Sequence, residues 1–265
     1  MIGSHPHSEK KPSSAHIEII LLIAAVTLLA VYAIFRYGGM WGENDTAVFT
    51  KIIRSMLEAG KLVPERDVYA NGYGFPALAV FLIQVSGMSL QDLQLYGSAL
   101  LAVWMVLPAW LLYREFTGSG RGATLATVIL FIQPEFLFPI LRGTHEKFTR
   151  GLMFLCLYLL LRSLRSRDRL TRFIGFVLSF YLAAYAVITF NNLIATSFIL
   201  SVALALALAW LVSRGNKVAS TTASPTIQRL IYVVISLMAV ATIFTFYAYP
   251  PAVQQLRLLK TVESR

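Results

Sequence analysis

The sequence predicts an all-α, polytopic transmembrane helical bundle of about seven spans, with an external amphipathic or re-entrant helix beside it. Three observations lead there. Hydrophobic residues make up 57% of the 265 and charged residues only 14%, whereas a soluble domain carries roughly 25% charged residues. Mean hydropathy is +0.67. Apolar runs near the ~20 residues that cross ~30 Å of hydrocarbon recur along the whole chain. The net charge of +10 would point to nucleic acid in a soluble protein. Here Lys and Arg lie between apolar runs, so membrane orientation and anionic headgroups account for them, and no nucleic acid is expected as a partner.

Residues 1–16 form a polar tail carrying Lys10 and Lys11. The apolar run 17–35 is too long for a signal h-region and has no small-x-small cleavage site before Arg36, so it reads as a retained anchor with a cytoplasmic N-terminus. Glu18 sits near its entry, within reach of headgroups. Residues 37–92 form a first external loop. In its segment 46–59, Val48, Ile52, Ile53, Met56 and Leu57 recur at helical spacing, and Gly60 stands where a helix stops. The apolar run 75–85 with its flanks gives ~15 residues, or ~22 Å of helix, short of a full crossing.

Charge decides between two topologies. If 75–88 stays at the interface, the spans are 17–35, 93–113, 122–141, 151–164, 173–190, 193–213 and 229–249. Twelve of the 23 basic residues then face the cytoplasm. If the segment crosses, only eight do. The positive-inside rule favours the first, chiefly through the arginines of 162–172. The whole chain, 1–265, is expected to be one multi-pass domain of the cell membrane, with 250–265 an external tail. Only Asn191 and Asn192 separate the fifth and sixth spans, as in a tight helical hairpin. Cys156 is the single cysteine, which excludes an internal disulfide and a cysteine-based metal site.

That topology brings two acids to the outer face. Asp45 stands in Gly42-Glu43-Asn44-Asp45-Thr46, and Glu146 in Arg142-Gly143-Thr144-His145-Glu146-Lys147. Two converging carboxylates with His145 nearby could hold a hard divalent cation such as Mg2+ or Mn2+, able to neutralise a phosphate-bearing leaving group. The plainer alternative makes Asp45 a cap for a helix beginning at Thr46, and pairs Glu146 with Lys147 or Arg150. Arg142, Lys147 and Arg150 crowd an external loop where positive charge is normally avoided. They read either as a site for a lipid-linked phosphate or as side chains snorkelling to the interface. Glu135, beside Pro134 in the third span, is an intramembrane acid: a functional candidate, or a group hydrogen-bonded within the bundle.

Over 17 to about 190 the pattern resembles the N-terminal half of the GT-C superfamily of membrane glycosyltransferases, most closely the catalytic subunit of oligosaccharyltransferase. The residues that carry the likeness are Gly42 to Asp45 after the first span, and Glu58-Ala59-Gly60-Lys61-Leu62-Val63-Pro64 ending an amphipathic helix. Tyr69 to Leu78 then opens a non-crossing helix, Tyr113 to Gly122 forms a cytoplasmic turn, and Gly143-Thr144-His145-Glu146 follows Pro134. The resemblance implies sugar transfer from a polyprenyl-phosphate-linked donor on the outer face. Asp45 and Glu146 would be catalytic and, with His145, would hold the metal; Arg142, Lys147 and Arg150 would bind the donor phosphate. Phe148 stands where the family usually places another acid. Family members continue through further spans and a soluble domain, so the chain is expected to be part of a longer enzyme, a module needing a second polypeptide, or a non-catalytic relative. The competing reading is a non-enzymatic transporter or lipid-binding assembly protein. Against transport, no pair of Gly/Pro-interrupted helices stands in corresponding halves.

Overall fold

A computed structural model describes residues 14–37, 44–62, 72–166, 169–215 and 224–247, and among these the chain is helical with no strand. The elements are α1 (Ser14–Tyr37), α2 (Asn44–Ala59), α3 (Gly74–Ser86), α4 (Leu90–Thr117), α5 (Gly120–Ile132), α6 (Pro134–Leu141), α7 (Glu146–Arg165), α8 (Leu170–Phe190), α9 (Asn192–Gly215) and α10 (Ser224–Tyr247). Of the predicted tails 1–16 and 250–265, residues 1–13 and 250–265 lie outside the described residues, and 14–16 begin α1.

Four of these helices are long and apolar enough to cross a bilayer: 16–36, 90–117, 170–190 and 192–212. Their apolar faces are exposed, as at Leu21, Leu28 and Phe35 of α1 and Leu182 of α8. Such surface has lipid as its natural solvent, and the protein is membrane-embedded. Among the described residues the predicted count of seven is corrected to four, or five if α5 and α6 form one broken span. The expected straight span 122–141 fails because the chain turns by 75° between these two helices. Gln133 precedes Pro134 and takes φ −70°, ψ 118°, the extended geometry that a following proline imposes. Among the described residues the expected spans 151–164 and 229–249 fall outside the same measure of length and apolar composition, although α7 runs the depth of the bundle. α7 carries Lys147, Arg150, Arg162 and Arg165 towards its ends, and α10 counts among the shorter apolar helices over Arg229 to Phe244, within its full extent Ser224–Tyr247.

Local signals set most boundaries. Gly60, Gly87 and Gly118 all take positive φ of 63–69°, ending α2, α3 and α4 as left-handed caps do. Ser89 and Ser119 cap α4 and α5 by accepting the amides of Asp92 and Gly122. α2 begins at Asn44, so Asp45 lies inside its first turn rather than capping a helix that starts at Thr46. Its charge still complements the positive helix end. α4 is not uniform: Leu93–Gly97 is a π-helical turn and Ala102–Met105 a 3-10 turn.

Packing divides into three apolar groups. One joins α1, α4, α5 and α6 around Ala30, Met105, Val106, Trp110 and Ile140. Another joins α7 to α10 around Cys156, Ile188, Ile199 and Leu237. The third packs α2 on α3 through Phe49, Ile53, Met56, Phe75 and Val80. Two glycines admit the closest approaches. A Cβ on Gly151 would lie 2.4 Å from the Trp104 ring, and one on Gly72 would lie 2.1 Å from the Phe190 carbonyl oxygen. The second contact is with backbone, which has no rotamer to relieve it. Gly72→Ala is therefore expected to cost about 1–3 kcal/mol, read as a lower melting temperature in detergent. Gly175→Ala, with nothing within 4 Å of the added methyl, should melt like the parent; equal melting of both variants would contradict this packing.

The bundle has two poles. At one, Thr124 Oγ1 donates to Glu18 Oε2 at 2.8 Å, and Arg162 donates to Glu115 at 3.3 Å. The other gathers Thr46, Gln94, Gly143, His145 and Asn191. α7 runs between them, its 20 residues spanning ~30 Å, about one hydrocarbon thickness. The elements on either side of α3 both return to the second pole: Gly74 meets Thr189, and Gln94 meets Thr46.

Candidate functional site

At that second pole Asp45 and Glu146 meet through an arginine. Arg142 Nη1 lies 4.0 Å from Asp45 Oδ2, and its Nη2 lies 3.7 Å from Glu146 Oε1. Since one guanidinium touches both, the two carboxylate oxygens lie within about 10 Å of each other. The other Glu146 oxygen accepts from Arg150 Nε at 3.1 Å. Asp45 comes from the first turn of α2 and Glu146 from the first turn of α7. Two positive helix ends therefore add to the two guanidinium groups, and the two carboxylates partly neutralise that field. The Asp45 and Glu146 side chains are 36% and 18% exposed, and Arg150 33%, so the group is reachable from outside the fold. The side chain of Arg142, only 11% exposed, has a lowered pKa, chiefly from burial.

Glu135 is exposed on α6 rather than enclosed within a straight span. Its carbonyl accepts from Arg150 Nη1 at 3.4 Å. The 75° turn thus lays α6 beside the arginine.

Two expected ligands point elsewhere. Lys147 is fully buried. Its ammonium nitrogen donates to the carbonyls of Arg142 at 2.5 Å and Thr144 at 3.0 Å, beneath the rings of Phe75 and Phe148. It clasps the 142–146 turn from inside and is not placed to reach a phosphate. Burial pushes its pKa down to about 7. A neutral amine keeps two N–H groups, enough for two carbonyls. His145 is also buried. Its Nε2 lies 2.7 Å from Asn191 Nδ2, and its ring packs at 5.2 Å from Phe49. Burial holds its pKa near 4, so the imidazole is neutral and accepts from the amide.

Sequence reasoning missed Asn191 and Gln94. Asn191 was legible only as a hairpin break; its Oδ1 also accepts the Ile194 amide, capping α9. Gln94 accepts from Thr50 Oγ1 at 2.7 Å and donates to the Thr46 carbonyl, holding α2 against α4. A lone Gln in an apolar run was the only signal for it.

The residues present do not fit a divalent cation as they are arranged. A guanidinium lies between the two carboxylates, and His145 is turned to Asn191. Among the described residues no three His, Cys, Asp or Glu side chains group closely enough to hold a metal. What the arrangement can do is bind an anion through Arg142 and Arg150, orient both guanidinium groups on Glu146, and offer Asp45 as a proton acceptor. No protein-family model matches the chain, and neither a curated protein nor a solved structure matches it.

Proposed function

We propose that this chain is the membrane domain of a GT-C-type glycosyltransferase that takes its sugar from a polyprenyl-phosphate-linked donor at the outer face. The observation that carries the reading is the convergence of Asp45 and Glu146, from the first turns of α2 and α7, on Arg142, with Arg150 held by the same glutamate. The arginines would bind the donor phosphate. The bond between the sugar's anomeric carbon and the phosphate oxygen breaks, the acceptor's oxygen or nitrogen takes the sugar, and Asp45 takes the acceptor's proton. Polyprenyl phosphate leaves, its charge stabilised by Arg142 and Arg150. A second polypeptide could complete the acceptor site. An outward, surface-reaching group of charges favours this over a transporter, which would place them near the bilayer midplane.

The topology that goes with this reading has the N-terminus and the Arg162–Glu115 pole in the cytoplasm, with α3 at the outer interface. Cysteine placed at exposed Ser55 of α2 is expected to react with an impermeant thiol reagent on intact cells. Cysteine at exposed Arg121 of α5 is expected to react only after permeabilisation. Native Cys156 is buried and gives little background. The opposite pattern would put the carboxylates on the cytoplasmic side and overturn the outer-face reading. Activity itself is tested by incubating the purified full chain in lipid nanodiscs with a radiolabelled polyprenyl-phosphate sugar. Label is expected to move to an acceptor; a chain that neither binds nor turns over the donor sinks the proposal.

A further inference from the structure

The opposite pole carries a second feature that the transferase reading does not use. Arg162, Arg165, Ser166, Arg169 and Arg172 line a cavity of about 210 Å³ where α7 ends and α8 begins. Glu115 answers two of these arginines, pairing with Arg162 at 3.3 Å and with Arg165. Arg169 and Arg172 are exposed, and no acid among the described residues pairs with them. Among the described residues, the cavity therefore holds positive charge beyond what Glu115 neutralises. The cavity also borders a second hollow. Arg162 and Arg172 belong equally to this hollow of about 380 Å³, which runs along α7 and α8 past Leu159, Gly175, Phe176 and Ser179. Phe176 stacks beneath the Arg162 guanidinium at 5.4 Å. Gly175 faces open space, with nothing within 4 Å of where a Cβ would be. A cationic cup beside a groove between α7 and α8, the two sharing Arg162 and Arg172, suits an amphiphile: phosphate at one end, hydrocarbon along the other.

We propose that this pole binds an anionic phospholipid, its phosphate among Arg162, Arg169 and Arg172 and one acyl chain in the groove over Gly175. Arginine clusters between helices at a membrane surface recognise such headgroups by bidentate hydrogen bonds. The proposal is independent of the transferase reading, and holds or fails whether or not the chain transfers sugar.

The test is native mass spectrometry of the full chain purified from nanodiscs of mixed phosphatidylglycerol and phosphatidylcholine. The parent is expected to retain one phosphatidylglycerol under activation that strips phosphatidylcholine. Arg169→Gln with Arg172→Gln should lower retention at least tenfold, and Gly175→Leu, which fills the groove, should do the same with the arginines intact. Arg121→Gln removes a charge near the same pole but outside the cavity, and should leave retention unchanged. All variants should melt with the parent in phosphatidylcholine alone, since the altered positions are exposed. Equal loss in Arg121→Gln would show a diffuse surface field and overturn the site. Displacement of the lipid by millimolar glycerol 3-phosphate, together with full retention in Gly175→Leu, would make this a soluble-anion site and overturn it too. Indiscriminate retention of both lipids would do likewise.

Discussion

Between pH 7 and 8.5 the parent chain is expected to gain about 2 kcal/mol of stability, and the Lys147→Met variant to gain none of it. The reason is the burial of Lys147, which lowers its pKa from 10.5 to about 7. Between those values the unfolded chain binds a proton that the folded chain does not, so stability rises with pH at ~1.4 kcal/mol per unit. Below pH 7 burying this side chain costs the most, about 5 kcal/mol relative to a free lysine. Two hydrogen bonds to the carbonyls of Arg142 and Thr144 offset it. Leaving those carbonyls unsatisfied in Lys147→Met costs about 1–3 kcal/mol each. Parent and variant should therefore melt close together at pH 7 and separate in the parent's favour as pH rises. Thermal unfolding in detergent at three pH values between 7 and 8.5 measures the slope. A parallel pair of curves would show that Lys147 is charged and solvated, contrary to its place under Phe75 and Phe148. His145 acts lower on the scale: its depressed pKa makes stability fall as pH drops from about 6.5 towards 4.

Asp45→Asn and Glu146→Gln are each expected to reduce sugar transfer at least ~100-fold, the scale of removing a proton acceptor or an electrostatic stabiliser from a reaction. Their effect on folding should be small. The Asp45–Arg142 and Glu146–Arg142 pairs are long, at 4.0 and 3.7 Å, and partly exposed, and such pairs contribute about 0–1 kcal/mol. The two readouts separate the chemical role from the structural one. If the carboxylates merely tie α2 to α7, the variants will lose stability while each folded molecule keeps its rate. Arg142→Lys sharpens the distinction: it keeps the charge and loses the planar fork that reaches both acids. Donor binding should weaken while the melting temperature stays near the parent's. Full transfer in both carboxylate variants would remove the chemical core of the proposal and leave a membrane bundle whose paired acids are structural.

Much of the site's location could be read from the chain because it depends on order and periodicity. The apolar face of Val48 to Leu57, ended by Gly60, became α2, and the Asn191–Asn192 break became the turn between α8 and α9. Asp45 and Glu146, expected on one face from the order of the spans, meet at one pole from the first turns of α2 and α7. What could not be read depends on three-dimensional neighbours. Lys147 looks like its partners Arg142 and Arg150 in a basic loop, and only the turn of α7 under Phe75 sends it inward. His145 and Asn191 are 46 positions apart, with no pattern linking them. The break at Gln133 lies where Gln133, Pro134 and Glu135 interrupt the apolar run of the predicted span 122–141. The span count failed for a related reason: α7 is long enough to cross, yet its charges lie close enough to its ends to spoil a purely apolar reading.

The π turn of α4 has a consequence for chain length. From Leu93 to Gly97 the ladder closes one residue late, with the Ser98 amide reaching back to the Leu93 carbonyl. The helix thus holds one residue more there than a regular path would. Deleting a single residue at Tyr96 would restore the ordinary ladder without breaking the helix. It would also swing Gln94 by ~100° relative to the face that carries Ala102, Met105 and Trp110, away from Thr46 and Thr50. Among related chains of different length, a one-residue gap at this point would mark those in which α2 has lost its tie to α4, and with it the fixed position of Asp45.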